Sequence, residues 1–294
     1  MKNNHTILIV DDNPQNIDIL VELLSDYELL VSLSAINALE LIEENQIDLI
    51  LLDVMMPDMD GLEMASILKN NKKFEAIPIL FISAKQDDKS IERGFKIGAQ
   101  DYIAKPFKPL ELRARIKTHL KLYDLIQELD YSANYDFLSG AKNRRSFFIE
   151  ADDYFYKPIN NLFAIMLDID RFKYINDTYG HAIGDEVIKN LSTNVKEELY
   201  KDMLFARIGG EEFAILVKHL PYDTIFTWVE SLREKINKQE MNIDGVIINY
   251  SISCGISKYD NSMKNIDYLL NEADIALYEA KNSGRNKTIF RIKE

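Results

Sequence analysis

The chain has 294 residues, which suggests about two domains, and its 47% hydrophobic and 28% charged composition, with 11 glycines and 7 prolines, is that of ordinary globular protein. Disordered, collagen-like and disulfide-scaffold readings are excluded, since the one cysteine, Cys254, has no internal partner and fits a reducing compartment. With 35 Lys plus Arg against 48 Asp plus Glu, the net charge of −13 makes the chain a poor generic polyanion binder, while leaving room for a nucleotide held by a few placed cations and a metal.

The amino terminus, MKNNHTILIVDD, lacks a secretory core and cleavage site. From Thr6 to about Leu120, short apolar runs alternate with amphipathic stretches. ILIV (7–10) is predicted as a buried strand, followed by Pro14 in a first helical turn and Ile17, Leu20 and Leu24 at helical spacing. LLVSLS (29–34), DLILLD (48–53), PILFIS (78–83) and DYIAK (101–105) are the next strands, with helices over 37–44, 61–69, 89–97 and from Leu110 onward. The apolar run around 47–56 is broken by Asp48 and Asp53, so no stretch reaches the ~18 residues of a membrane span. Five strands alternating with helices predict an α/β domain with a parallel sheet covered on both faces, and ligands at the carboxyl ends of its strands.

Residues 110–132 contain neither Gly nor Pro, and some 23 residues at 1.5 Å rise make a rod of roughly 35 Å. Its rough apolar stripe (Ile116, Leu120, Tyr123, Ile126, Leu129) fits a terminal helix packed on its own domain or a signalling helix that pairs with its copy. Beyond it, LFAIMLDID (162–170), FARIGGEEFAILV (205–217) and INYSISCGIS (248–257) read as strands, with helices near 185–200, 223–239 and 265–281. The expected organisation is a first domain over 1–122, a helical linker over 110–135 continuing its last helix, and a second domain over 136–294. The halves share no repeat.

Asp11 and Asp12 end the first predicted strand, Asp53 the third and Ser83 the fourth, and Lys105 follows the fifth. Strand ends of a parallel sheet open on one edge, so these side chains converge. Three crowded carboxylates repel one another unless a hard divalent cation sits among them. A metal and an ammonium are what a carboxylate nucleophile needs to attack a phosphoryl donor. One acidic strand end would be ordinary; the placements in register are not. Through IVDDNPQN, LLDVMMPDMDGLE, FISA and GAQDYIAKPF, this segment resembles the receiver domain of bacterial response regulators, which implies a flavodoxin-like doubly wound sheet.

The resemblance implies that Asp53 accepts a phosphoryl group from a cognate histidine kinase. It further implies Mg²⁺ (or Mn²⁺) held by Asp12, Asp53 and the Met55 carbonyl, with Asp11 helping through water. Ser83 and Lys105 would bind phosphoryl oxygens and Tyr102 would be the switch aromatic; a core aromatic with its hydroxyl at the surface is the other reading of Tyr102. Lys105–Pro106 is a candidate cis bond, since X–Pro alone makes cis cheap. Phosphorylation would add roughly −1.5 to −2 charges at Asp53 and rearrange the surface near Tyr102, with dimerisation as the readout.

In the second half, Asp168 closes one apolar strand and Glu211 lies in GGEEF at the turn of a predicted hairpin, where Gly209–Gly210 supplies positive φ. If the strands are adjacent, the two carboxylates face each other and suit the one or two Mg²⁺ of phosphoryl transfer. IDRFK (169–173) offers backbone N–H groups and Lys173 to a polyphosphate, and Lys281 and Arg285 could reach the same phosphates. Asn176 and Asp185 are either helix caps or readers of a guanine edge, whose two adjacent donors suit a carboxylate. Singly, each has an ordinary explanation: a turn, a solvated strand end, a charged helix terminus.

As a set, DFLSGAKNRR, DIDRFKYINDTYGHAIGDEV, RIGGEEF, SISCGIS and ADIALYEAKNSGRN resemble the GGDEF domain of diguanylate cyclases. That implies an α/β, nucleotidyl cyclase-like domain with a mainly antiparallel sheet, which condenses two GTP to cyclic di-GMP and two pyrophosphates. It implies Mg²⁺ (or Mn²⁺) on Asp168, the Ile169 carbonyl and Glu211, and catalytic roles for Glu211, Asp168 and Lys173. GTP would be bound by Phe172, Lys173, Lys281 and Arg285, with Asn176 and Asp185 on the guanine. One domain presents one GTP, so a homodimer is implied.

Two departures from the pattern stand out: Ser139 and Ala141 replace the usual Thr and Leu, and Tyr200–Met203 replaces the RxxD of product-inhibited members, so weak or absent product inhibition there is expected. The leading expectation is a cytoplasmic, phosphorylation-regulated diguanylate cyclase with no membrane or nucleic-acid partner. A catalytically idle GTP-sensing or partner-binding regulator is the alternative. A nucleic-acid-binding regulator is disfavoured by the acidic balance and the lack of a basic stripe.

Overall fold

In the computed structural model, which describes residues 5–83, 88–156, 161–201 and 203–291, the chain divides into two units, 1–129 and 130–294. Ala84 of the FISA stretch and Asp202 of the product-inhibition window lie outside the described residues.

The first unit runs β1 (Thr6–Val10), α1 (Pro14–Leu23), β2 (Glu28–Ser32), α2 (Ala35–Glu44), β3 (Leu49–Asp53), α3 (Gly61–Lys69), β4 (Ile79–Ser83), α4 (Asp88–Ile97), β5 (Asp101–Ala104) and α5 (Pro109–Asn134), whose last turns pass into the second unit. All neighbouring strands pair in parallel in the order β2-β1-β3-β4-β5. This is the parallel α/β sheet that the alternating runs predict, in the doubly wound order that the receiver resemblance implies. Period-two alternation sends Ile7 and Ile9 to a core with Leu20, Leu24, Leu112 and Ile116, and Leu8 and Val10 to the opposite core with Ala38, Ile42, Leu62 and Leu68. Local signals set the helix starts: Asn13 caps α1 ahead of Pro14, and Asp60 with Glu63 forms a capping box on α3.

The second unit continues with β6 (Lys142–Asn143), α6 (Arg144–Tyr156), β7 (Leu162–Ile169), α7 (Phe172–Tyr179), α8 (His181–Glu198), β8 (Met203–Gly209), β9 (Glu212–Lys218), α9 (Tyr222–Lys238), β10 (Met241–Ile243), β11 (Val246–Ile248), β12 (Ile252–Lys258), α10 (Ile266–Asn282) and β13 (Thr288–Arg291). Its sheet has the order β13-β12-β7-β9-β8-β6; the three central pairings are antiparallel and the two outer ones parallel. β7 is buried along its whole length. Phe163, Ile165 and Leu167 join Val187, Leu191, Val229 and Leu232 on one face, while Leu162, Ala164 and Met166 join Phe147, Leu269, Ala273 and Leu277 on the other.

The strand predicted over 248–257 is corrected. It starts at Ile252, because Asn249–Ser251 leave the ladder and the Ser251 carbonyl accepts Asp170 N–H (2.9 Å) instead. Gly255 permits a close approach of helix and sheet: a Cβ there would lie 2.1 Å from the Ala273 carbonyl oxygen and 2.3 Å from Leu277 N. That contact fixes where α10, and the cations at its end, stand over β12. Among the described residues no helix is long and apolar enough to cross a membrane.

Candidate functional site

In the first unit, Asp11 and Asp12 follow β1 and Asp53 ends β3, neighbouring strands at the point where the strand order reverses. One carboxylate oxygen from each of the three lies within 4.8 Å of the others; Asp11 and Asp53 are buried and Asp12 is exposed. Lys105 Nζ lies 2.7 Å from both Asp11 Oδ2 and Asp53 Oδ2. Asp11 also accepts from Asn13 N–H (2.9 Å) and from the Asn16 amide, so its orientation is fixed by α1. Burial pushes the Asp53 carboxyl above its ordinary range, against the Lys105 hydrogen bond and with the charge of Asp11. Burial also works against the Lys105 ammonium, yet its bonds to Asp11 and Asp53 hold the proton more tightly than usual. An oxygen-only cluster of this charge fits a hard divalent cation.

The remaining predicted residues border the same edge. Ser83 is buried at the end of β4, Met55 is exposed with its N–H 3.3 Å from Asp53 Oδ1, and Lys105–Pro106 is cis. Gly61 rests on the Asp53 carbonyl; a Cβ there would come within 2.1 Å of that oxygen. Tyr102 is half-buried, its ring 5.4 Å from Phe81 and 6.3 Å from Phe95, and its hydroxyl is buried, which does not suit the reading of a core aromatic with its hydroxyl at the surface.

In the second unit β7 and β9 are adjacent. The residue directly opposite Asp168 is Glu212, with Glu211 one position earlier in the turn, where Gly210 has φ +48°. Burial pushes the Asp168 carboxyl up to about 6; the Lys281 hydrogen bond opposes this and the charges of Glu211 and Glu212 add to it. Two acidic groups that feel each other at the mouth of a buried strand are a donor set that fits Mg²⁺. Lys281 Nζ sits 2.6 Å from Asp168 Oδ2, so in this state it neutralises a carboxylate instead of standing open for phosphate.

Asn176 lies inside α7, capped by Arg171, and Asp185 inside α8, capped by Gly180, which removes the capping alternative for both. Gly184 faces Asn176 so closely that a Cβ would fall 1.9 Å from its Oδ1 and 3.2 Å from Phe172 Cζ. Asn176 and Phe172 thus share the α8-facing side of α7, where Asp185 is exposed. Lys173 and Arg285 are exposed, and Ile169 ends β7.

Sequence reading missed three residues that build this site. Asp170 is buried and accepts from Ser251 Oγ (2.7 Å), Ser253 Oγ (2.7 Å) and Asn286 N–H (2.9 Å), tying the end of β7 to β12 and to the turn after α10. Arg233 of α9 donates to Asn286 Oδ1 (2.8 Å), securing that turn. Arg207 donates to Asp136 Oδ1 (2.9 Å) and to the Gly210 carbonyl (2.8 Å), joining the start of the unit to the hairpin tip. Ser139 serves Asp136 as a threonine would, donating its Oγ at 2.7 Å, and Ala141 is buried in the core.

Comparison with known proteins bears on the family and the fold. Residues 7–117 match the response regulator receiver domain family and residues 133–287 the family described as diguanylate cyclase, GGDEF domain. The chain is similar to the response regulator PleD of Caulobacter vibrioides (strain NA1000 / CB15N), 29% identical over 296 residues that cover 96% of this chain and 65% of PleD. It is also similar to the diguanylate cyclase DgcM of Escherichia coli (strain K12), 36% identical over 168 residues that cover 56% of this chain and 40% of DgcM. The chain thus spans less than two thirds of the length of either relative. Among solved structures it resembles the coiled coil and GGDEF domain of DgcB from Caulobacter crescentus in complex with c-di-GMP, with a TM-score of 0.56, 25% identity, and coverage of 63% of this chain and 100% of that one. By sequence and by fold, the chain belongs to the GGDEF-domain diguanylate cyclase family, with a response regulator receiver domain as its first unit.

Proposed function

We propose that the chain is a phosphorylation-regulated diguanylate cyclase that acts as a homodimer and condenses two GTP to cyclic di-GMP and two pyrophosphates. The observation that carries the reading is the placement of Asp168 beside the Glu211 hairpin, with Lys281 against it and with Asn176 packed on Gly184 of α8, the residue before Asp185. Glu211, Asp168 and the Ile169 carbonyl would hold Mg²⁺, which when bound lowers the pKa of a coordinated hydroxyl and neutralises phosphate charge. The α7 N-terminus and Lys173, Lys281 and Arg285 bind the phosphates, fixing the α-phosphorus. A 3′-oxygen of one nucleotide forms a bond to the α-phosphorus of the other. The bond to the bridging oxygen breaks, its electron pair leaves with pyrophosphate, and the hydroxyl proton passes to solvent. One unit presents one nucleotide, so two copies must meet, and their orientation supplies the proximity term.

Asp53 is the phosphoacceptor of a histidine kinase, with Mg²⁺ among Asp11, Asp12, Asp53 and the Met55 carbonyl, and with Ser83 and Lys105 receiving the phosphoryl oxygens. Leu122, Leu125, Ile126 and Leu129 are exposed on the second half of α5 and supply an apolar stripe for the dimer. The test is GTP with Mg²⁺, with and without a beryllofluoride phosphate mimic, products being resolved by chromatography. Cyclic di-GMP is expected, with rate and dimer fraction raised by the mimic and no response in Asp53→Asn. Glu211→Gln should lose most turnover and keep the fold. GTP bound without product would favour the idle sensor, and an equally active monomer would refute the dimer.

A further inference from the structure

A cavity of about 380 Å³ opens in the second unit on the side of α7 turned away from Asn176. Arg171, Tyr174 and Ile175 line it, whereas Phe172 and Asn176 face Gly184, so the helix separates this space from the base pocket. Arg285 also lines the cavity, four residues after the Lys281 that holds Asp168. Among the described residues, neither Arg171 nor Arg285 meets a carboxylate, in a chain whose net charge is −13. The one acidic residue lining the cavity is Asp170, whose oxygens are taken by Ser251, Ser253 and the Asn286 N–H. The wall is also conformationally specified: Arg171 (φ 56°), Arg285 (φ 63°) and Asn286 (φ 48°) all hold the left-handed backbone that non-glycine residues seldom adopt.

Two guanidinium forks without acidic partners among the described residues, lining a cavity that adjoins the Asp168–Lys281 pair in sequence, are suited to a multiply charged phosphate anion, since each fork can bind two oxygens at once. We propose that this cavity receives the inorganic pyrophosphate released by the transfer, held between Arg171 and Arg285. The inference rests on the nucleotidyl-transfer reading given above. It makes Arg171, three residues beyond Asp168, a pyrophosphate ligand of this chain.

The test is calorimetric titration of the full chain with inorganic pyrophosphate in Mg²⁺ buffer. Arg171→Gln should weaken binding at least tenfold and Arg171→Lys should recover part of it, while Asn176→Ala should stay within twofold of the parent. Saturating GMP, which occupies the base pocket without a leaving group, should leave pyrophosphate affinity intact. Unchanged affinity in Arg171→Gln, or exclusion of pyrophosphate by GMP, would overturn the proposal. So would an equal loss of GTP and pyrophosphate affinity in Arg171→Gln, because the cavity would then serve the triphosphate tail of bound substrate. A chain that binds pyrophosphate in this pattern but makes no cyclic dinucleotide refutes the cyclase reading and leaves an oligophosphate site. Turnover with unaltered pyrophosphate binding refutes the site alone.

Discussion

Asp168→Asn should stabilise the metal-free second unit while destroying its activity. The Asp168 side chain is 6% exposed, and its carboxyl is pushed from 3.8 to about 6, first by burial and further by Glu211 and Glu212. A folded-state pKa above the unfolded value means that the native chain binds the extra proton, so stability falls as pH rises from about 4 through about 6. At roughly 1.4 kcal/mol per pH unit, the ionised group costs about 3 kcal/mol above that window. Asparagine keeps the shape and carries no charge, and the partly exposed Lys281 can turn to solvent. The single tryptophan, Trp228, is buried in α9 and reports unfolding of this unit by fluorescence. In urea titrations without divalent metal, the stability difference between variant and parent should be near zero at pH 4 and grow to a plateau by pH 7. Added Mg²⁺ should stabilise the parent and not the variant. A difference that does not change with pH, or a variant less stable than the parent at pH 7, would refute the argument.

Two glycine substitutions separate packing from substrate positioning. In Gly184→Ala the new methyl meets the end of the Asn176 side chain, which can move at small cost to the fold, so KM for GTP should rise about tenfold with less change in kcat; an unchanged KM would argue against Asn176 as a base reader. In Gly255→Ala the methyl meets backbone of α10, which cannot yield locally, so the unit should lose roughly 1–3 kcal/mol in Trp228-monitored unfolding and its turnover should fall as Lys281 and Arg285 shift.

The receiver was legible almost to the residue because its signals are local. Strands such as Leu49–Asp53 and Ile79–Ser83 are continuous buried runs, and Pro14 and Asp60 mark helix starts in the sequence itself. The second unit was read less completely where local signals are weak. The N-cap position of α7 is Arg171, a left-handed residue with no side-chain cap bond, and β13 is a short, half-buried strand that takes its place by pairing with β12. Asp170 carries no local signal of its own, because the groups that satisfy it lie at 251, 253 and 286. Arg207 is likewise defined by Asp136, 71 positions away. Spacing rules reach one helix turn or one hairpin; a side chain whose role depends on three distant segments has no sequence period to betray it.

The two units solve the same electrostatic problem separately. Each buries a carboxylate at a strand end, where loss of solvent favours the protonated form, and each offsets the cost with a lysine from a later element: Lys105 on Asp11 and Asp53, Lys281 on Asp168. A buried ion pair is a poor source of net stability, since well-packed apolar side chains often do as well. A lysine on a four-carbon stem has a different use: it can be displaced without rebuilding the wall around it. Under the proposed function, these acids would hold a divalent metal that would neutralise them, leaving the lysine ammonium for the phosphoryl oxygens. On that proposal the expectation of Lys281 at phosphate and its place on Asp168 are compatible. If the ion pair is the resting arrangement of a phosphate-binding cation, as proposed, metal and nucleotide should bind to Asp168 and Lys281 cooperatively, each removing the charge that would oppose the other.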